Sequence, residues 1–419
     1  MRFDVDVVVI GAGAAGLFAA AEAAEAGART LVLEKNPRPG VKILASGGSK
    51  CNVTSTLPPR ELGLWFGVRG ERFLRHGLLA FGPTAVRELL TREGVATEEL
   101  PFEKVFPRGG RAVDVLRAFL RRLERSGAEL ALGEGVLEIA REDGGGFRVR
   151  TPRRALRARR VVAAAGGASY PKTGCTGDGY AWCASLGHTI VTPRPALVPL
   201  LVSLEWVRDL TGIAAPDAVV HAHDANGKRV FSRARPVLFT HRGLSGPGPM
   251  DASRYLNPDP SRLGHLVIDW LPTATEEGLS AELERPGGDR VIGRLPETMP
   301  RRLREALLGA AGVPLDRRAS ELRRPERLAL IEALKRARIP VTGDEGFPKA
   351  EVTAGGVALD EIDPKTMESR LAPGFHVAGE LLDLDGPIGG FNFQSAFSTG
   401  TLAGRAVAAA IAEIGRDPE

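Results

Sequence analysis

The sequence predicts an α/β protein in which a parallel-sheet dinucleotide domain is interrupted by a long insert. Three observations predict it. An apolar run, Val7-Val8-Val9-Ile10, breaks into Gly11-Ala12-Gly13-Ala14-Ala15-Gly16 and then an Ala-rich stretch. Strand-into-glycine-turn texture recurs at residues 160–168 and again from about 345 to the end. Between these, short alternating runs such as Ala218–His223 and Leu266–Trp270 give way to an Arg-rich stretch of helical character.

The opening stretch has a physical reason at each position. β-branched residues in an unbroken apolar run suit a strand buried on both faces. Gly11 permits the turn out of the strand, Gly13 lets a pyrophosphate approach the backbone, and Gly16 lets the helix lie against the strand. The helix N-terminus then presents free N–H groups and the positive end of its dipole. A second strand, Thr30-Leu31-Val32-Leu33, ends in Glu34, a carboxylate suited to ribose hydroxyls and unfavourable to a 2′-phosphate. Strand, helix, strand and acid together say far more than a lone glycine motif. FAD and NAD both fit this half. Two-dinucleotide reductases carry a second Gly-x-Gly-x-x-Gly in mid-chain, and its absence favours FAD, with NAD(P)H a transient donor or electrons taken from the substrate.

The 419 residues suffice for two or three domains, and 43% hydrophobic with 26% charged residues is ordinary for a soluble protein. The chain has neither a run of about 18 apolar residues nor a secretory leader, so no membrane span is expected. Cys51, Cys175 and Cys183 form no CxxC and no metal-ligand spacing. A reduced, cytoplasmic protein without a metal site is expected. The net charge of +5 fits either a general bias toward Arg or an acidic partner such as RNA. From Arg290 to Arg338, thirteen Lys/Arg face six Asp/Glu. That stretch is a solvated helical surface or a phosphate-facing patch.

In chain order, Lys35 to Lys42 reads as a Pro/Gly loop, and Ser46 to Thr54 as a segment of small residues and polar donors. Residues 71–95 read as one amphipathic helix with Leu74, Leu78, Leu79, Val86, Leu89 and Leu90 on one face. A helix over 112–126 ends at Gly127. Strands follow at 128–132 and 135–139, and an antiparallel pair at 147–149 and 155–159 around Gly144-Gly145-Gly146. A separate strand over 160–163 leads to the turn at Gly166. A helix after Gly179 ends near 187. Strands at 351–357 and 374–380 precede a last helix running to about Ile414. The expected domains are 1–192 plus 345–419; a β-barrel-like insert, 193–274 plus about 339–344; and a helical Arg-rich subdomain, 275–338.

Several segments carry a family resemblance: the GAGAAG opening with Glu34, Ser46-Gly47-Gly48-Ser49-Lys50-Cys51-Asn52, Ala165-Gly166-Gly167, Thr240-His241-Arg242-Gly243-Leu244-Ser245-Gly246-Pro247, and the block from Ala378-Gly379-Glu380 to Gly400. The chain resembles, over essentially its whole length, the BaiN/RdsA-like (YhiN-type) flavoprotein family, also labelled aminoacetone oxidase family FAD-binding enzymes. That resemblance implies a glutathione-reductase-like FAD-binding Rossmann domain with an inserted antiparallel β-barrel and a helical subdomain; no His or Cys stands in an attachment context, so the FAD is expected to be non-covalent. Gly11 to Gly16, including Ala14 and Ala15, would hold the ADP half with Glu34 and the adjacent Lys35. Val136 would meet the adenine through its backbone. Lys42, Gly47, Gly48, Cys51 and Asn52 would line the pyrophosphate and flavin, with Gly166 nearby. Gly379 and Glu380 would serve the ribityl chain and phosphate, and Gly389, Gly390, Phe391, Asn392 and Phe393 the isoalloxazine. The family commonly has Gly-Gly-Gly-Arg-Cys-Asn where this chain has Gly-Gly-Ser-Lys-Cys-Asn. Charge is kept at Lys50, but the bidentate geometry of Arg is not.

Flavin chemistry still needs a group to move protons. His241 is the first candidate, with a turn-capping role as its structural alternative; Arg242 would bind an anionic substrate or form a salt bridge. Cys51 reads as a small packing residue rather than a redox thiol, since no second cysteine lies four or five residues away; Tyr170 reads as packing beside the cofactor, with proton donation its alternative, His188 as structural, and Asp178 as a turn or helix cap. The function expected is an FAD-dependent oxidoreductase that reduces a C=C bond. Members of the resembled family are linked to dihydrouridine formation in ribosomal RNA and to reduction of steroid enones. The alternatives are a small-molecule amine or alcohol oxidase and a low-turnover flavin-containing RNA-binding protein.

Overall fold

The computed structural model describes residues 3–256 and 263–414. Residues 1–2 and 415–419 of the expected cofactor domain, and 257–262 of the expected insert, lie outside the described residues. The chain forms two compact units: Met1–Pro195 with Val352–Glu419, and Ala196–Glu351.

The first unit is built on a seven-stranded sheet whose path runs Glu129–Leu132, Thr30–Glu34, Val5–Ile10, Ala155–Ala163, Phe147–Arg150, Glu138–Arg141, with Phe375–Val377 added beside Ala155–Ala163. Val5–Ile10 lies between two parallel neighbours, with Val7 opposite Thr30 on one side and Arg160 on the other. Val7, Val8 and Val9 are fully buried, as a doubly covered strand requires. The structure merges the two segments expected at 155–159 and 160–163 into one nine-residue strand. Its first half pairs antiparallel with Phe147–Arg150 and its second half parallel with Val5–Ile10. The turn between the antiparallel partners lies at 151–154, closed by the Thr151 amide on the Arg154 carbonyl (2.9 Å). The Gly144–Gly146 turn instead joins Glu138–Arg141 to Phe147–Arg150. The strand expected at 135–139 begins at Glu138, because Gly133 and Glu134 donate to the carbonyls of Asn36 and Glu34.

The single helix expected over 71–95 is two helices, Gly67–Ala80 and Pro83–Arg92. Pro83 has no amide to donate and disfavours helical backbone at Gly82, so the chain restarts there with proline in the first turn. Leu79, expected on the apolar face, is 68% exposed, because its helix buries the face through Phe73, Leu74, Gly77 and Leu78 instead. The helix Ala112–Ser126 ends, as its sequence indicates, at a left-handed Gly127. Helices Ala14–Glu25 and Phe391–Ile414 meet along a small-residue face. A Cβ on Gly400 would lie 2.3 Å from the Ala15 carbonyl oxygen, and one on Gly404 2.4 Å from that of Ala19. Phe18 fills the core beside them, its ring 4.5 Å from Phe397 and 5.0 Å from Phe119.

The second unit carries an eight-stranded antiparallel sheet in the order Ala214–Ala215, Val237–Thr240, Gly243–Ser245, Leu200–Val202, Ala337–Asp344, His265–Asp269, Val219–His223, Arg229–Ala234. Its strands alternate buried and exposed residues, as one-sided packing demands. Helices Glu276–Glu284, Arg301–Ala310 and Arg324–Lys335 place Leu283, Leu303, Leu307 and Leu330 in the same hydrophobic core as Val220, Phe239 and Ile268 of the sheet. The sheet and helical parts that the sequence separates therefore share one interior. That interior holds an ion pair, Arg233 to Asp251 at 2.8 Å, with Asp251 fully buried. Among the described residues, no helix is long and apolar enough to cross a membrane.

Candidate functional site

The site in the first unit starts at the glycine turn after Val5–Ile10. Gly11 has φ +101°, and a Cβ there would lie 2.6 Å from the Ala164 carbonyl oxygen. A Cβ on Gly16 would lie 1.8 Å from the Gly11 carbonyl oxygen, which is why the helix can approach the strand only with glycine there. At Gly13 a Cβ would meet nothing within 4 Å, so the space in front of this amide is open. The helix Ala14–Glu25 has neither a side-chain cap nor an acidic residue in its first turn. Its positive end is left for an anion. Glu34, 7% exposed, accepts from the amides of Ala12 and Asn36, each at 2.8 Å. One oxygen thus faces the glycine turn, and both keep lone pairs for hydroxyl donors.

The next wall is the loop after Val41–Ala45. Gly47, Gly48, Ser49 and Cys51 all have positive φ, 53°, 64°, 66° and 62°. Two non-glycine residues in this region store strain of the kind found at ligand clamps. The loop is held by the Cys51 amide on the Ser46 carbonyl (3.1 Å), and the Val105 amide donates to Oδ1 of Asn52 (3.2 Å). A Cβ on Gly48 would again meet nothing within 4 Å. Cys51 is completely buried, and burial pushes its thiol up to about 12. It is a neutral packing group at physiological pH.

A polar cluster joins this wall to the C-terminal segment. Lys42 Nζ donates to Oε2 of Glu380 (2.5 Å) and to Oγ of Ser169 (2.7 Å). The other Glu380 oxygen accepts from Ser169 Oγ (2.5 Å) and from the Thr353 amide (2.9 Å). Thr353 Oγ1 accepts the amides of Ala168 and Ser169, at 2.9 and 3.0 Å. Thr353 therefore ties the 165–169 turn to Glu380. The sequence does not mark this residue. The one signal is a hydroxyl inside the glycine-rich strand Val352–Val357, facing Gly167, where a Cβ would come 2.4 Å from Oγ1. Gly166, with φ +76°, sits against Cys175 Sγ.

The Lys35 ammonium pairs with Asp178 Oδ2 (2.6 Å) and Thr176 Oγ1 (2.5 Å). Asp178 opens the helix Asp178–Ser185, where a carboxylate complements the dipole. Val136 is half-buried beside Gly135, which lies close to Lys35. At the C-terminal end, Gly379 (φ +72°) lies against Ala15. Gly389 and Gly390 (φ +137° and +85°) lead into the long helix, and a Cβ on Gly390 would lie 2.3 Å from the Thr54 carbonyl oxygen. Asn392 closes the preceding turn, accepting from the Gly386 amide (2.8 Å) and donating to its carbonyl (2.9 Å). Phe391 is buried near Trp65, and Phe393 stacks on Phe397 at 5.9 Å. Gln394 anchors the helix start to the Phe81 carbonyl (2.8 Å) and accepts from Thr54 (2.6 Å).

His241 and Arg242 lie in the second unit, exposed on the turn between Val237–Thr240 and Gly243–Ser245. The Thr240 hydroxyl, not an imidazole, closes this turn, accepting from the amides of Gly243 (3.1 Å) and Arg242 (3.3 Å). Arg242 pairs with Glu345 at 3.3 Å. His188 is held between Glu361 (2.9 Å) and Ser369 (2.8 Å), a buried structural role. Tyr170 has φ +52° and its carbonyl accepts from Thr173.

The glycine turn, the uncapped helix and the acid-ended second strand fit a bound dinucleotide, and fold and site together define the class: a Rossmann-type FAD-dependent oxidoreductase. The HI0933-like protein Rossmann domain family matches residues 5–406, and the chain belongs to that family. It is 32% identical over 399 residues to a ribosomal RNA dihydrouridine synthase of Escherichia coli, covering 94% of this chain and 96% of that one. It is also 32% identical over 409 residues to a 3-dehydro-bile acid delta(4,6)-reductase of Clostridium scindens, covering 96% and 98%. Among solved structures, a 3-ketosteroid delta1-dehydrogenase of Sterolibacterium denitrificans superposes with a TM-score of 0.51 at 14% identity, covering 97% of this chain and 99% of that one, a likeness of fold.

Proposed function

We propose that this FAD-dependent oxidoreductase reduces the C5=C6 bond of uridine in ribosomal RNA to give dihydrouridine, in the cytoplasm, with NAD(P)H as electron source. The two relatives are equally similar, so identity alone does not choose between RNA and a steroid. The observation that carries the RNA reading is how the basic residues of 290–338 divide. Arg294, Arg301, Arg317, Arg327, Lys335 and Arg336 pair with carboxylates, and Arg302 and Arg304 bond to backbone carbonyls. Arg290, Arg318, Arg323, Arg324 and Arg338 are exposed and form no ion pair among the described residues. Arg290 and Arg318 are joined by an antiparallel bridge. Arg323 and Arg324 open the helix Arg324–Lys335, a position whose dipole disfavours cations. Unpaired guanidiniums placed against a dipole suit phosphates, whose binding releases counterions. A bile acid carries a single carboxylate and would engage one such cation, not five spread along this stretch.

In this reading the Gly11–Gly16 turn and the helix behind it hold the pyrophosphate, and Glu34 accepts the ribose hydroxyls. Val136 meets the adenine, and Lys42, Gly47, Gly48 and Asn52 line the pyrophosphate and flavin. Gly379 and Glu380 take the ribityl side, with Thr353 fixing the Glu380 carboxylate. Gly389 to Phe393 border the isoalloxazine. The start of Phe391–Ile414 offers its positive end to developing negative charge. FAD held there would supply two-electron hydride chemistry between NAD(P)H and the conjugated C=C bond. The other carbon needs a proton, and His241 is the group assigned to provide it. Arg242 exchanges Glu345 for an anionic group of the substrate. The test is dihydrouridine in ribosomal RNA from cells lacking the protein. Loss of the base, restored by wild type but not by a Gly13→Asp variant, is the expected result; unmodified levels in the deletion strain would overturn the RNA reading.

A further inference from the structure

The sheet of the second unit has a solvent-side face that the RNA reading above touches only at Arg338. Val220, Ala222, Leu266, Ile268 and Ile339 turn into the core. The alternate residues His221, His223, His265 and Val267 are only partly buried. His223 and His265 are directly opposed in register. Their rings stack with centroids 5.0 Å apart and planes 9° from parallel. His221 stands two residues along, opposite Val267. Arginines flank the rings on both sides: Arg229 pairs in register with His223, and Arg338 with Val267. Both are exposed and form no ion pair among the described residues. The carboxylate on this face, Asp269, is tied to Lys335 at 2.7 Å and accepts from the Leu271 amide at 2.9 Å.

Burial first, then Arg229 and His223, push the His221 imidazole below its ordinary range, with Asp269 opposing them. Burial, Arg338 and His223 do the same for His265. The His221 and His265 rings are therefore held toward the neutral form, and the positive charge sits on the flanking guanidiniums. Aromatic rings on an open sheet face with cations at its margins form the chemistry that takes unpaired nucleotides: bases stack on the rings and phosphates meet the arginines. A duplex keeps its bases stacked inside and leaves the rings without a partner.

We propose that this face is a base-stacking platform for an unpaired stretch of RNA, with one base on the His223–His265 stack and the neighbouring phosphates on Arg229 and Arg338. The inference rests on the RNA reading above and names where a strand outside the reacting uridine would lie. The test is binding of the flavin-loaded protein to a labelled oligouridylate, to inorganic polyphosphate, and to a fragment of unmodified ribosomal RNA. Stacking of one base, about 1–3 kcal/mol, corresponds to roughly 5- to 150-fold in affinity. The His223→Ala/His265→Ala double variant is expected to lose oligouridylate affinity within that range and to keep its polyphosphate affinity and flavin spectrum. His223→Phe/His265→Phe, which retains flat rings, is expected to keep binding and guards against a folding defect in the alanine variant. Arg229→Ala/Arg338→Ala is expected to weaken both ligands and lower the salt slope by about 2. Unchanged oligouridylate binding in the double alanine variant would overturn the platform, and so would an equal loss for polyphosphate. If the parent protein binds neither oligouridylate nor the ribosomal fragment, the RNA reading itself falls, and the platform with it.

Discussion

In the first unit, a methyl group added at Gly16 would sit 1.8 Å from a carbonyl oxygen, and one at Gly390 2.3 Å from another. In the second unit, the groups assigned to substrate, Arg290, Arg318, Arg323 and Arg324, are long exposed side chains. In the proposed reading, one region holds its ligand with backbone brought to contact distance, and the other would meet it with flexible charge on a regular scaffold. The cost of a substitution should differ accordingly. Changes at the tightly packed glycines of the first region, such as Gly16 and Gly390, should act on the fold and the cofactor together, while changes at the arginines of the second should act on binding alone.

Gly16→Val tests the contrast at its extreme. The strand–helix contact cannot open without disrupting the central strand of the sheet, so no folded yellow protein is expected, a loss above about 4 kcal/mol. A folded, flavin-loaded variant would break the comparison. Asp251→Ala probes the second unit where it is not tolerant. Removing the carboxylate takes from the buried Arg233 its 2.8 Å ion-pair partner, at an expected cost of up to about 3–5 kcal/mol in denaturant unfolding. Gly13→Ala sharpens the first region. Since a Cβ there meets nothing, apoprotein stability should stay within about 0.5 kcal/mol while FAD affinity falls at least tenfold. Equal losses in both would mean that Gly13 serves packing.

The acid limit should belong to the first unit. His376 is buried and its imidazole is held down at about 4, by burial above all. The unfolded chain binds a proton near 6.5 and the folded chain refuses it. Stability is therefore complete above about pH 6.5 and declines as pH falls toward 4, by up to about 1.4 kcal/mol per unit. His376→Gln should flatten that part of the profile; an unchanged slope would place the acid sensitivity elsewhere. The smallest effect on stability is expected from His241→Ala, within about 0.5 kcal/mol on an exposed turn. That variant should keep its FAD and lose substrate turnover, and undiminished turnover would remove His241 from the reaction.

The same contrast decides what could be read from sequence. Gly11, Gly13, Gly16, Glu34 and the helix stop at Gly127 are set by local backbone demands, and local demands leave a pattern. Thr353 carries no such mark, because its role depends on Gly167 and Glu380 meeting it across the fold. Lys42 and Glu380 are 338 positions apart, and their pairing is a product of topology. The helix break at Gly82-Pro83 was locally encoded, but an apolar periodicity that runs on through Leu89 and Leu90 masks it. The arginines of 290–338 give a net charge in the sequence. Only the structure separates Arg327, paired with Glu284, from Arg324, which has no such partner among the described residues.

The most direct measurement is made without oxygen. The purified flavoprotein is reduced with one equivalent of NADPH, mixed with unmodified ribosomal RNA, and followed at the visible flavin band, with the RNA analysed by mass. Reduction of RNA uridine requires the band to return as the RNA gains two mass units per event. A band that stays bleached with RNA, yet returns with a conjugated steroid enone, would contradict the RNA reading and move the enzyme to small-molecule reduction.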